Sequence, residues 1–252
     1  MKNLLKLEFR RILRQKSLYI CTGIMLALLF LSALVLQLVN QIDPYFGAMM
    51  GASTVDFLLT GVNNSSFTVL IGIIIALNVC EDYDQQTARI ILARGYSKLQ
   101  LYFAKMICVV IWSIAVYIIT QLFAFVMGAA FFDMGNTAEG RYLVVQAAQV
   151  AACLAHIMLF FCICAMLRRV GASIAIVIAG PIVLDLILGL ANMALQQHDI
   201  AISKYWISNF LTDLFYVGVA DDRMLLCVLG SVGYSVAFGL LGMLCAKKTE
   251  IK

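Results

Sequence analysis

The chain has 252 residues, of which 63% are hydrophobic and only 13% charged, and its mean hydropathy is +0.96. That much apolar surface excludes a water-soluble domain of this size, and uninterrupted apolar runs with only two prolines exclude a porin-type barrel, which needs short alternating strands. The net charge of +4 does not point to nucleic acid, because the cations stand at the ends of apolar segments and not on one polar domain.

Residues 2 to 16 open the chain with Lys2, Lys6, Arg10 and Arg14 at every fourth position, while Leu5, Phe9, Ile12 and Leu13 occupy a different face. This spacing predicts an amphipathic helix at the cytoplasmic membrane interface, residues 1–16, ahead of one transmembrane domain over 17–252. The apolar run at 17–39 has spanning length and no small-residue cleavage site closely after it, so it is expected to be retained as a membrane helix. Further runs at 58–80, 106–132, 143–167, 170–195 and 225–246 each approach the ~20 residues that cross the hydrocarbon layer. The expected fold is therefore an all-α integral membrane protein with about six spans.

The loops orient it. With the N-terminus in the cytoplasm, all of the 18 Lys and Arg except Arg141, Lys204 and Arg223 fall on the cytoplasmic side, while Asp43, Asp56, Asp133, Glu139, Asp199, Asp213, Asp221 and Asp222 make the outer face acidic. Both termini are then cytoplasmic. The outer stretch 196–224 carries Tyr205, Trp206, Phe210, Leu211, Leu214, Phe215 and Tyr216 at helical spacing, as expected of a helical segment lying against the outer ends of the spans.

Few residues carry chemistry. No GxxxxGK[ST] motif and no HExxH motif occurs, and His156 and His198 stand too far apart to suggest a zinc pair, so no metal site is expected. The eight cysteines fall inside or at the ends of apolar runs and read as small buried hydrophobes; Cys162 and Cys164 point to nearly opposite sides of a helix. Asn63-Asn64-Ser65-Ser66 has the form of a glycosylation acceptor, a motif short enough to arise by chance. Asp185 is a carboxylate within a span, which is costly unless it faces protein, water or a partner. It has two readings: a substrate-pathway or proton-coupling residue, or a group paired to a neighbour such as Gln146 or facing an outer vestibule. Small residues at Ser231, Ser235 and Gly239, and at Ala148, Ala151, Ala152 and Ala155, predict close helix packing.

The cytoplasmic stretch 81–105 is the charged exception. Glu81, Asp82 and Asp84 follow the second span, Ile90, Ile91 and Leu92 form an apolar ridge, Gly95 is placed to end a short helix, and Ser97 to cap the next. Such a helix is suited to a partner's groove.

In this stretch the chain resembles the permease subunits of type-2 ATP-binding-cassette exporters. The positions that match the family's pattern are Glu81, Thr87, Arg89, Leu92, Gly95, Ser97, Lys98 and Lys105, with Gln86 where the family usually has glycine and Lys98 where arginine is common. The resemblance implies that residues about 84 to 96 form a coupling helix seated on a separate ATPase and that the N-terminal helix braces the same contact. Glu81, Asp82, Asp84, Thr87, Arg89, Ile90, Ile91, Leu92, Gly95, Ser97 and Lys98 are the expected coupling residues, with Glu81 and Asp82 pairing to cations of the ATPase or of the N-terminal helix. It further implies ATP and magnesium on the ATPase and no cofactor on this chain, which is then no enzyme by itself. The implied partners are a second permease copy or a paralogue in a bacterial plasma membrane, and the implied cargo is an exported amphipathic molecule such as an antimicrobial or signalling peptide, a drug or a lipid. Two other functions fit the residues: an ion-coupled transporter using Asp185, and a non-transporting sensor or immunity subunit that captures peptide at the outer face.

Overall fold

The computed structural model describes residues 2–43, 45, 53–61, 65–84, 87–134, 141–195, 202–215 and 218–248. Asn63, Asn64, Gln86, Glu139, His198 and Asp199 lie outside the described residues. Ten α-helices account for nearly all of the rest: α1 (Lys2–Arg14), α2 (Lys16–Ile42), α3 (Thr54–Gly61), α4 (Ser65–Asp84), α5 (Thr87–Ala93), α6 (Lys98–Phe131), α7 (Arg141–Leu167), α8 (Val170–Leu195), α9 (Ile207–Asp213) and α10 (Asp221–Lys248). A 3₁₀ turn at Ile202–Tyr205 leads into α9. No strand occurs among the described residues beyond an isolated Ser53–Asp133 bridge.

Among the described residues, five helices are long and apolar enough to cross a bilayer: residues 16–42, 98–131, 141–167, 170–194 and 221–247. They match five of the six expected spans. Of the expected second span, 58–80, α3 covers the start and α4 the part from Ser65 onward. α4 carries three carboxylates at its inner end, yet Ile71, Ile75, Ala76, Val79 and Cys80 bury it at the centre of the bundle, against α2, α6, α7 and α8.

In lipid, burying a leucine gains little over leaving it in the bilayer, so helices associate through close packing and polar contacts. The α7–α10 pair, the most extensive in the molecule, follows this rule. Ala148 and Ala152 of α7 pack in one cluster with Cys227 of α10. On the neighbouring side of α10, Tyr102 of α6 donates to the Gly239 carbonyl at 2.9 Å, and a Cβ at Gly242 would collide with the same tyrosine. The small-residue repeats thus mark helix contacts.

The two ends differ. At the outer end Thr54 donates its amide to the Asp133 carbonyl at 2.9 Å, joining α3 to the end of α6. Phe210, Leu211 and Leu214 of the α9 region are buried against Val55, Leu59 and Val145, so the segment after α8 packs onto the outer ends of the spans as its apolar spacing predicts. At the inner end α1, the last turn of α4, α5, the start of α6 and the link between α7 and α8 converge. Leu4 of α1 packs with Leu101 and Ala104 at the start of α6, and Tyr102 beside them meets Gly239 and Gly242 of α10, so the N-terminal helix and the end of α10 lie at the same end of the bundle.

Candidate functional site

The inner end is built from four consecutive residues. At about 100° per residue a helix turns successive side chains in different directions, and Glu81, Asp82, Tyr83 and Asp84 in the last turn of α4 go four ways. Glu81 accepts from the Gln15 side-chain amide, at the joint between α1 and α2. Asp82, 3% exposed, is held between Arg11 of α1 and Lys105 of α6, itself 3% exposed. Tyr83 lies beneath two cations, with Arg168 at 5.1 Å and Lys105 at 5.8 Å from its ring. Burial pushes its phenol above the ordinary value, with Arg168 opposing, so it stays neutral as a platform for both. Asp84 accepts from the Val170 amide at 3.1 Å, which places a carboxylate on the N-terminus of α8.

A fourth charge joins Arg11, Asp82 and Lys105. Glu8 of α1 is fully buried and lies 2.9 Å from the Arg11 guanidinium, which also donates to the Asn78 carbonyl at 3.3 Å. Glu8 and Asp82 thereby balance Arg11 and Lys105 in a neutral set spanning α1, α4 and α6. Charges taken out of water are tolerated only in such balanced sets, and separating them exposes each to the full desolvation penalty.

On this base stands α5. Ala88 and Ile91 are buried in a cluster with Leu4 of α1 and with Leu101 and Ala104 of α6. Gly95 ends the helix at φ +88°, a left-handed conformation suited to glycine, and its amide bonds to the Leu92 carbonyl at 2.9 Å. Ser97 then caps α6 reciprocally: it accepts from the Gln100 amide at 3.2 Å while its own amide donates to the Gln100 side chain at 3.0 Å. Both terminators sit at the residues expected of them.

The apolar ridge is divided. Ile91 belongs to the protein interior and cannot face a partner, because the i, i+3 spacing with Ala88 turns both onto α1 and α6. Ile90 is 55% exposed, Arg89 and Arg94 are exposed beside it, and Thr87, Leu92 and Lys98 are half-buried. Of the acidic residues, Asp82 is spent on Arg11 and Lys105 inside the chain, so of the two expected partners for it the structure has the N-terminal helix.

Asp185 stands apart from this site. It is exposed on α8 and accepts from the Trp206 indole at 3.1 Å, tying α8 to the outer segment. The expected pairing with Gln146 is not formed: Gln146 donates instead to the Tyr117 hydroxyl at 3.2 Å, across the α6–α7 contact. Pro181 leaves α8 continuous. His156 is buried and bonds the Ala152 carbonyl at 2.9 Å. Among the described residues no group of three or more His, Cys, Asp and Glu is placed to hold a metal, and all eight cysteines are free, seven of them buried.

Glu8 is the member of this cluster that periodicity misses. The basic row draws the eye to the outward face of α1, yet Glu8 is the one acid before Asp43 and stands three residues from Arg11, a signal for an inward ion pair. A family model described as ABC-2 family transporter protein matches residues 4–192, three quarters of the chain and all of this site. No curated protein matches.

Proposed function

From the premise that the chain belongs to the ABC-2 family of transporter proteins, we propose that it is the permease half of an exporter whose ATP hydrolysis is performed by separate subunits. ATP and magnesium would be bound on those subunits. The observation that carries this reading is the two-faced α5: Ala88 and Ile91 are seated on α1 and α6, while Arg89, Ile90 and Arg94 are exposed on the other side. A short helix anchored on one face and solvent-exposed on the other suits a groove on an ATPase. Movement of that ATPase on binding ATP would push α5, and the cluster of Glu8, Arg11, Asp82 and Lys105 would carry the displacement into α1, α4 and α6 as one body, with Asp84 passing it to α8.

Two copies, or one copy and a paralogue, would enclose the path in a bacterial plasma membrane. The cargo is an amphipathic molecule such as a peptide, a drug or a lipid, a reading that rests on family analogy. Asp185, occupied by Trp206 and remote from the inner cluster, supports an anchoring role better than an ion-coupling one.

Co-expression with the ATPase tests the docking. Ile90→Asp is expected to abolish co-purification of the ATPase and ATP-dependent uptake into inverted vesicles while leaving thermal stability in detergent unchanged. Retention of the ATPase by that variant, or uptake driven by an ion gradient without ATPase, defeats the proposal.

A further inference from the structure

We propose that the outward face of α1 is a binding surface for anionic phospholipids of the inner leaflet, selecting them over zwitterionic ones. Lys6, Arg10, Arg14 and, at the start of α2, Lys16 are all exposed. At about 100° per residue the row Lys6, Arg10, Arg14 stands on the side of the helix opposite Leu4, Glu8 and Ile12, which are buried. Among the described residues no ion pair engages any of these four cations. The single carboxylate of the helix, Glu8, is turned inward and paired with Arg11, so nothing on the outward face offsets the row.

Its height in the membrane follows from its neighbours. Leu7, Phe9 and Leu13 are exposed apolar residues flanking the row, and Phe9 stacks on Trp112 of α6 at 5.3 Å. Only Gln15 separates α1 from α2, whose exposed Tyr19, Ile20 and Ile24 begin the lipid-facing band. The cations are therefore held where hydrocarbon gives way to headgroups, and the exposed apolar flank favours lipid over a protein partner. Phosphate charge at that level is what the row attracts, an attraction that builds with each Lys or Arg and weakens with salt.

Trp112 reports on this surface because it touches Phe9. The full chain carrying Trp206→Phe, so that Trp112 is its one indole, is reconstituted in phosphatidylcholine bilayers containing a small fraction of dibrominated phosphatidylglycerol or dibrominated phosphatidylcholine. Quenching of Trp112 is expected to show a preference for phosphatidylglycerol of about threefold to fivefold, falling in high salt. Lys6→Gln/Arg10→Gln/Arg14→Gln should erase the preference, and Lys6→Arg/Arg10→Lys/Arg14→Lys should keep it, with unchanged thermal stability in both. Equal quenching by the two lipids in the parent chain overturns the proposal. So does a preference that survives the triple glutamine variant, or a triple glutamine variant whose one defect is loss of a co-purifying ATPase, since the face would then serve that protein.

Discussion

The inner and outer ends of this bundle use charge in opposite ways. At the inner end Asp82 and Lys105 are almost completely buried and join the end of α4 to the start of α6. At the outer end Arg141 meets Asp221 with both side chains open to solvent, and Arg223 meets Asp213 half-shielded. Buried charge resists separation because each partner left alone is stranded without water, whereas an exposed pair is screened and replaced by solvent. The inner end is thus a joint that resists separation of its parts. The outer end depends for cohesion on packing and on neutral hydrogen bonds, above all those of Gln149, which is fully buried and donates to the Leu59 carbonyl at 3.1 Å and the Leu214 carbonyl at 2.7 Å.

Breaking the joint is expected to have the largest effect. Lys105→Met leaves Asp82 buried beside Arg11 alone and should cost about 3–5 kcal/mol, read as a large fall in the thermal unfolding midpoint in detergent. Combining it with Asp82→Leu should recover part of that loss, since an apolar pair does not strand a charge; a double variant as weak as the single would show that the cluster is not the source of cohesion.

At the outer end, Gln149→Leu removes the donor to two carbonyls and should cost about 1–3 kcal/mol, with earlier protease cleavage in the region of residues 202–215 than elsewhere. Returning to the inner end, Gly95→Ala meets open space but forces a left-handed backbone on alanine, so about 1–2 kcal/mol should be lost without any change in packing. The smallest effect belongs to the exposed rim: Arg141→Ala should change stability by under about 1 kcal/mol, a difference that vanishes in high salt. A cost above 2 kcal/mol there would erase the contrast between the ends.

Much of this architecture is legible from local pattern. Apolar run length marks five spans because crossing a bilayer sets a minimum length that few other structures demand. Gly95 and Ser97 declare their roles because left-handed backbone and helix capping are decided by the residue itself. The apolar ridge was visible as a ridge, but not which of Ile90 and Ile91 would be covered, because that depends on where α1 and α6 lie.

Composition, run length and the placement of Lys and Arg by themselves settled that this is a helical membrane protein and located the charged stretch 81–105 between two spans, because solvation by lipid acts on each residue where it stands in the chain. Tertiary structure alone decided that Glu8 and Asp82 turn inward, that Arg11 bridges them, that Asp185 meets Trp206 and that Ile90 is the exposed member of its pair. Those outcomes turn on which helices become neighbours, and the cost of burying Asp82 depends on Arg11, distant in the chain, as much as on the charge itself.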